Sequence, residues 1–277
     1  MQNGQPSRTA LGAARARAFH QTADQPLIFA DPMAASVADA ADKIAGAADG
    51  DGIPSEARLF LAMRHRFAED AFAQRASEYR QVVVLGAGLD TFGLRNSGAQ
   101  LRVFEVDHPA TQQWKRQLLT DARIAVPSEL RFVPVDFETE TLAEGLAAAG
   151  FDENVPTFFV WLGVLVYLTP GGVRSTLEFI ARHRASAQVV IDYSEPISAL
   201  PERNQPIVAA LSRVMTELGE PWLSLFTAPE FAVLLKELGF DEIEDLDWSA
   251  MIERFAPDNP AEDLVGGHVL RAGHTGR

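Results

Sequence analysis

Two aspartates and a pair of glycines carry the chemistry this chain is expected to do. Gln81-Val-Val-Val-Leu85 is apolar and β-branched, the pattern of a strand buried on both faces, and Gly86-Ala87-Gly88 bends the chain directly after it. Glycines there let the backbone approach a ligand. Leu89-Asp90-Thr91-Phe92 is expected to open a helix whose unpaired N–H groups face that ligand. Further on, Leu101-Arg-Val-Phe-Glu-Val-Asp107 reads as a second strand ending in an acid. At that place in a doubly wound sheet a carboxylate accepts hydrogen bonds from ribose hydroxyls. A dinucleotide fingerprint puts a third glycine or alanine three residues after the second, but Thr91 stands there and Gly93 comes two residues late. The bend therefore suits an adenosyl ligand without a pyrophosphate, such as S-adenosylmethionine, better than NAD. A tight strand-to-helix turn with no ligand is the bland alternative.

These residues need a scaffold, and the alternation of patterns supplies one. Strands are expected at 81–85, 101–106, 131–135, 157–162, 188–192, 241–246 and 268–271, with helices near 108–122, 138–149, 172–185 and 248–255. Thr169-Pro170 starts one helix, and Thr227-Ala-Pro-Glu230 is a capping box for another that ends at Gly239. Ahead of the first strand lie helices at 8–19, from Asp31-Pro32, and from Ser55 to about Tyr79, with a small, glycine-rich loop at 45–52. That gives an α/β fold, residues 81–277, behind an N-terminal helical cap, residues 1–80, lying over the carboxyl edge of the sheet. The proline-rich segment 195–226 is the natural wall of a substrate pocket.

Composition narrows the function. Of 277 residues 47% are apolar, enough for a sizeable core, and no apolar run is long enough to span a membrane. The first residues do not read as a secretion signal, and the absence of cysteine excludes disulfides and thiolate chemistry, which fits a cytoplasmic protein. A net charge of −14 argues against a nucleic-acid partner, and Arg8, Arg15 and Arg17 read as a solvated helix face. The histidines His20, His65, His108, His183, His268 and His274 show no paired ligand spacing, so no metal is expected.

The chain resembles the leucine carboxyl methyltransferase family, in its bacterial O-methyltransferase branch, over about residues 8 to 240. The likeness is carried by Arg64-His-Arg-Phe-Ala-Glu-Asp70, Val83-Val-Leu-Gly-Ala-Gly-Leu-Asp-Thr91, Phe104-Glu-Val-Asp107, Val135-Asp-Phe137 and Pro156-Thr-Phe-Phe-Val-Trp-Leu-Gly-Val-Leu-Val-Tyr-Leu168. It implies a class I methyltransferase-like, doubly wound, mostly parallel seven-stranded sheet that binds S-adenosylmethionine. It further implies that Arg64 pairs with the cofactor's carboxylate, Gly86 lies against its methionyl part, Asp107 holds the ribose, and Asp136 and Phe137 bracket the adenine. Arg64 as a surface partner of Glu69 and Asp136 as a helix cap are the structural alternatives. Many relatives carry a glutamate where Leu162 stands. The cofactor's amino group must then be held by backbone carbonyls or another acid, with Asp90 and Glu105 as candidates.

The implied reaction is methyl transfer to the carboxylate or phenol of a small molecule, such as a polyketide acid, by a monomer or homodimer. A carboxylate is ionised at neutral pH and needs no base, whereas a phenol, with a pKa of about 10, wants one. Tyr193 and Tyr167 are expected near the acceptor, with plain packing as the alternative for each. An NAD-dependent oxidoreductase and a cofactor-binding protein without turnover are the competing readings.

Overall fold

The computed structural model describes residues 7–45, 53–136, 140–258 and 266–276. Phe137, residues 46–52 of the expected loop and residues 138–139 of an expected helix lie outside them. The chain divides into two compact units, one of residues 2–66 and 80–151, the other of residues 67–79 and 152–277.

The first unit holds α1 (Arg8–Ala23), α2 (Ala34–Ala45), the start of α3 (Ser55–Gln74), β1 (Gln81–Leu85), α4 (Phe92–Asn96), β2 (Arg102–Asp107), α5 (Pro109–Asp121), β3 (Leu130–Pro134) and α6 (Leu142–Ala148). Its strands run parallel in the order β3-β2-β1. The second unit holds the rest of α3, β4 (Thr157–Trp161), α7 (Pro170–Ala181), β5 (Ala187–Ser194), α8 (Gln205–Glu217), α9 (Ala228–Leu238), β6 (Glu242–Leu246), α10 (Trp248–Phe255) and β7 (Gly267–His274). Its strands are ordered β4-β5-β7-β6, and only β7 runs against its neighbours. The seven strands make the mostly parallel α/β sheet that the sequence predicts.

Local chemistry explains where the boundaries fall. The helix after Asp31 begins at Ala34 rather than at Pro32, because the Asp31 carboxylate takes the Met33 N–H at 3.0 Å and holds a turn open first. α3 stops at Gln74 instead of Tyr79, where Arg75 and Glu78 tighten into successive turns bonded to Phe72 and Arg75. Thr141, not Asp136, caps α6, accepting the Glu144 N–H at 3.3 Å. α9 has the expected capping box, with Glu230 reaching back to the Thr227 N–H, and ends on Gly239 at φ 98°.

In the first unit, Ala14 of α1 and Val37, Ala40 and Ala41 of α2 form one core with Leu89 and with Leu118 and Leu119 of α5. Alanines on α1 and α2 let these two helices come close, and the leucines of α5 fill the core beneath them. Gly93 in α4 fills the role of the late third glycine. A Cβ there would stand 2.7 Å from Glu105 Oε1 and 2.7 Å from Leu130 Cδ1, both too close for any carbon. Gly93→Ala is therefore expected to destabilise the protein by about 1–3 kcal/mol through overpacking, measured by urea denaturation.

Candidate functional site

The bend after β1 requires its glycines. Gly86 has φ 62° and Gly88 φ 47°, the left-handed region that side chains avoid, and a Cβ on Gly88 would lie 3.0 Å from the Ala10 methyl of α1. Asp107 closes the bend from the end of β2. Its Oδ2 accepts the Gly88 N–H at 2.5 Å and its Oδ1 accepts the His108 N–H at 2.7 Å. Each carboxylate oxygen keeps a second lone pair for another donor. Asp107 is buried, which raises its pKa, while the two backbone N–H groups and the Lys115 ammonium pull the other way. Asp136 follows directly, because the Val135 N–H bonds the Asp107 carbonyl at 2.9 Å and carries β3 alongside β2 to its end. It is half-buried and its own N–H bonds Glu140 at 2.9 Å.

The helix after the bend starts at Phe92 rather than Leu89, since Asp90 Oδ1 takes the Phe92 N–H at 2.6 Å. A carboxylate thus already sits at the helix start that was expected to face a ligand. Asp90 Oδ2 lies 3.2 Å from His65 Nε2 and 3.8 Å from Arg17 Nη1. Burial acts to raise the pKa of Asp90, but the His65 bond and the Arg17 and Lys115 charges outweigh it and hold the carboxyl below the usual range. Of the two acids considered for an amino group, Asp90 keeps 14% of its side chain exposed, while Glu105 is sealed at 1%. Glu105 Oε2 bonds Lys115 Nζ at 2.6 Å, and the same ammonium donates to the Asp90 carbonyl at 2.6 Å.

Arg64, on α3, is buried with its guanidinium 5.8 Å above the Phe60 ring. It is fixed in the same unit as the bend, Asp107 and Asp136. Arg17 is not the solvated residue that its alanine-rich helix suggests. It is 5% exposed and donates from Nη2 to the Leu89 carbonyl at 2.6 Å. Beside it, buried Asp31 accepts the Thr91 hydroxyl at 2.7 Å. The sequence offers Arg17 only as a solvated helix face, Asp31 only as a helix start and His65 only as a histidine without paired ligand spacing, and it contains no reason to single out Lys115.

The second unit places the remaining candidates. Leu162 follows β4 and is half-buried, as is Tyr167 in the 3-10 turn Leu165–Tyr167. Asp192 Oδ1 accepts the Gly163 N–H at 2.6 Å and fixes that turn against β5. The segment past α8 returns here, with Leu223 N–H on the Val166 carbonyl at 2.7 Å and the Phe226 N–H on the Ser194 carbonyl at 3.1 Å. Tyr193 is buried, stacked on His268 with ring centroids 4.6 Å apart, and donates its hydroxyl to Asp245 Oδ2 at 2.5 Å. Burial first, and Asp245 second, push that phenol well above its ordinary pKa, so it acts as a donor rather than a base. Tyr193→Phe is expected to cost about 1.5–3 kcal/mol of stability, the worth of a bond to a charged acceptor, in chemical denaturation.

Among the described residues no helix is long and apolar enough to cross a membrane, and no group of three ligating side chains could hold a metal. The leucine carboxyl methyltransferase family profile matches residues 10–181. YktD of Bacillus subtilis, named as an S-adenosyl-L-methionine-dependent methyltransferase, is 31% identical over 287 residues, 90% of this chain and 93% of its own. A Frankia alni protein named for the same activity is 36% identical over 179 residues, 61% of this chain and 62% of its own length. Among solved structures, one titled a methyltransferase from Thermobifida fusca matches with TM-score 0.58 at 19% identity, over 98% of this chain and 96% of that one. The magnesium protoporphyrin IX methyltransferase of Synechocystis, with bound SAH, matches with TM-score 0.50 at 9% identity, over 95% and 99%. These last two likenesses are of fold.

Proposed function

This chain belongs to the leucine carboxyl methyltransferase family, and from that premise we propose that it moves a methyl group from S-adenosylmethionine to an oxygen of a small molecule, a carboxylate or a phenol. The observation that carries the reading is the Asp107 carboxylate at the end of β2, bonded to the Gly88 N–H of a positive-φ glycine bend. That pairing leaves a buried, acceptor-only group with two unused lone pairs at the strand end, a fit for the hydroxyls of a ribose. A dinucleotide is poorly served by the same geometry. Its pyrophosphate would approach a helix start where Asp90 already presents negative charge.

When bound, S-adenosylmethionine supplies an electrophilic methyl on a sulfonium, displaced in line by the acceptor oxygen. The chain's part is positioning, which removes the entropic cost of bringing two partners together. In this reading Asp107 orients the ribose, Gly86, Ala87 and Gly88 admit the methionyl chain, and buried Arg64 pairs with its carboxylate. Asp136 and Phe137 take the adenine, and Asp90 with nearby backbone carbonyls holds the amino end that Leu162 cannot. The segment 195–226 and Tyr167 are assigned to the acceptor. The acidic chain disfavours a long anionic protein tail as acceptor. The acceptor assigned in this reading is a small acid or phenol of secondary metabolism, an acid being held by local cationic groups against the overall charge.

Calorimetry with S-adenosylhomocysteine, set against NADH, tests the cofactor. Tighter binding of NADH, or no binding of the adenosyl compound, would end the proposal. Incubation with methyl-labelled cofactor and a panel of aromatic acids and phenols tests the acceptor. A methyl ester releases volatile methanol in mild base, whereas a phenol ether does not.

A further inference from the structure

We propose that Arg17 is a positioning residue, the part of α1 that holds the cofactor bend in its binding-competent shape. This inference rests on the placement of the adenosyl ligand at residues 86–90. Arg17 is buried, and its guanidinium addresses two adjacent residues of the bend, Leu89 and Asp90, together with Asp31. Nη2 donates to the Leu89 carbonyl at 2.6 Å, Nη1 lies 3.8 Å from Asp90 Oδ2, and Nε lies 3.3 Å from Asp31 Oδ2. Asp31 in turn accepts the Thr91 hydroxyl at 2.7 Å and sits 3.4 Å from Arg95 Nε, so the residues just after Gly88 are gripped from the α1 and α2 side. The Ala10 methyl of the same helix closes over Gly88.

The physical need for such a grip is clear from the bend itself. Gly86 and Gly88 carry no Cβ to restrict the backbone, and a free glycine bend spends most of its time in other shapes. A ligand that binds only one shape loses affinity in proportion to the population of the others. An arginine fork anchored on a buried aspartate removes those alternatives without touching the ligand. Lysine at this position offers a single ammonium in place of the fork, so it is expected to serve the Leu89 carbonyl or Asp31 but not both.

The test uses the full chain with Arg17→Ala, Arg17→Lys and, as a control, Arg58→Ala. Arg58 ties the end of α1 to α3 through Asp24 at 2.8 and 3.1 Å, and it also donates to the Ile53 carbonyl at 2.6 Å. The expected result is an S-adenosylhomocysteine Kd raised at least about tenfold by Arg17→Ala, in line with loss of the competent shape. Faster hydrogen exchange of the 88–92 amides should accompany it, with partial recovery in Arg17→Lys. Arg58→Ala should lower the melting temperature while leaving Kd within about twofold. The proposal is overturned if Arg17→Ala leaves Kd and the 88–92 exchange unchanged, or if Arg58→Ala weakens binding as much. Should the unaltered protein bind no adenosyl compound, the cofactor assignment fails, and the exchange arm alone still decides whether Arg17 orders the bend.

Discussion

Replacing Asp107 by Asn is expected to weaken S-adenosylhomocysteine binding by about two to four orders of magnitude, the largest effect of any single change in the candidate site. The estimate follows from two lost interactions of an ionised acceptor, each worth about 1.5–3 kcal/mol, with about 1.4 kcal/mol per factor of ten. Asn keeps the shape of the side chain but replaces one acceptor oxygen by a donor, which must then face either the Gly88 or the His108 N–H. The bend and the ribose contact are therefore disturbed together. Acidity gives an independent check. Burial places the Asp107 pKa above its ordinary value, and the ribose hydroxyls need the ionised form. Affinity in the unaltered protein should fall as the pH drops through that raised pKa and level off above it, while Asp107→Asn should lose this dependence. Calorimetric titrations across the acid range would show it. Equal affinity in the two proteins would leave Asp107 as a cap of the bend and nothing more.

The parts of this site that the sequence made legible are those with local signals. A β-branched run, two glycines needing positive φ and an acid at the next strand's end are each readable within a few residues, and the structure brings Gly88 and Asp107 into contact. Gly93 looked late against a dinucleotide pattern, and its role appears only when α4 is seen lying on Glu105 and Leu130. Arg17 was misread because its cause is remote. Its acceptor, the Leu89 carbonyl, is 72 residues away, and the helix around it is alanine-rich with no apolar stripe to show which face is buried. Asp90 was seen as a helix opener, but whether it offers its charge to a ligand or to the helix start is decided by the rotamer and by His65, neither of which a linear pattern records. Tyr193 was expected just past the fifth strand, whereas it lies inside β5, and its commitment to Asp245, 52 positions on, left no local signal.

The second large effect belongs to Lys115. Its ammonium is 2% exposed and lies 2.6 Å from Glu105 Oε2, itself 1% exposed, so neither charge has water to fall back on. Lys115→Met removes one partner and leaves a buried carboxylate beside the Asp90 carbonyl, a change expected to cost about 3–5 kcal/mol. Burial already lifts Glu105 to about 6 against the opposing pull of Lys115, above the 4.5 of an ordinary glutamate. Because the folded pKa is the higher one, the contribution of Glu105 to stability is complete below 4.5 and is lost as the pH rises through 6. Without Lys115 the folded pKa climbs further, and the window of loss moves upward with it. The deficit of Lys115→Met should therefore be greatest near about pH 8 and shrink near about pH 5, where protonation neutralises the stranded acid. Joining Glu105→Met to it replaces the pair by apolar groups of similar volume and should bring stability back to within about 2 kcal/mol of the unaltered protein. Urea denaturation of the four proteins at both pH values measures this coupling directly. A Lys115→Met deficit that does not change with pH, or that the second substitution deepens, would show that Lys115 acts through the Asp90 carbonyl and the bend, not through Glu105.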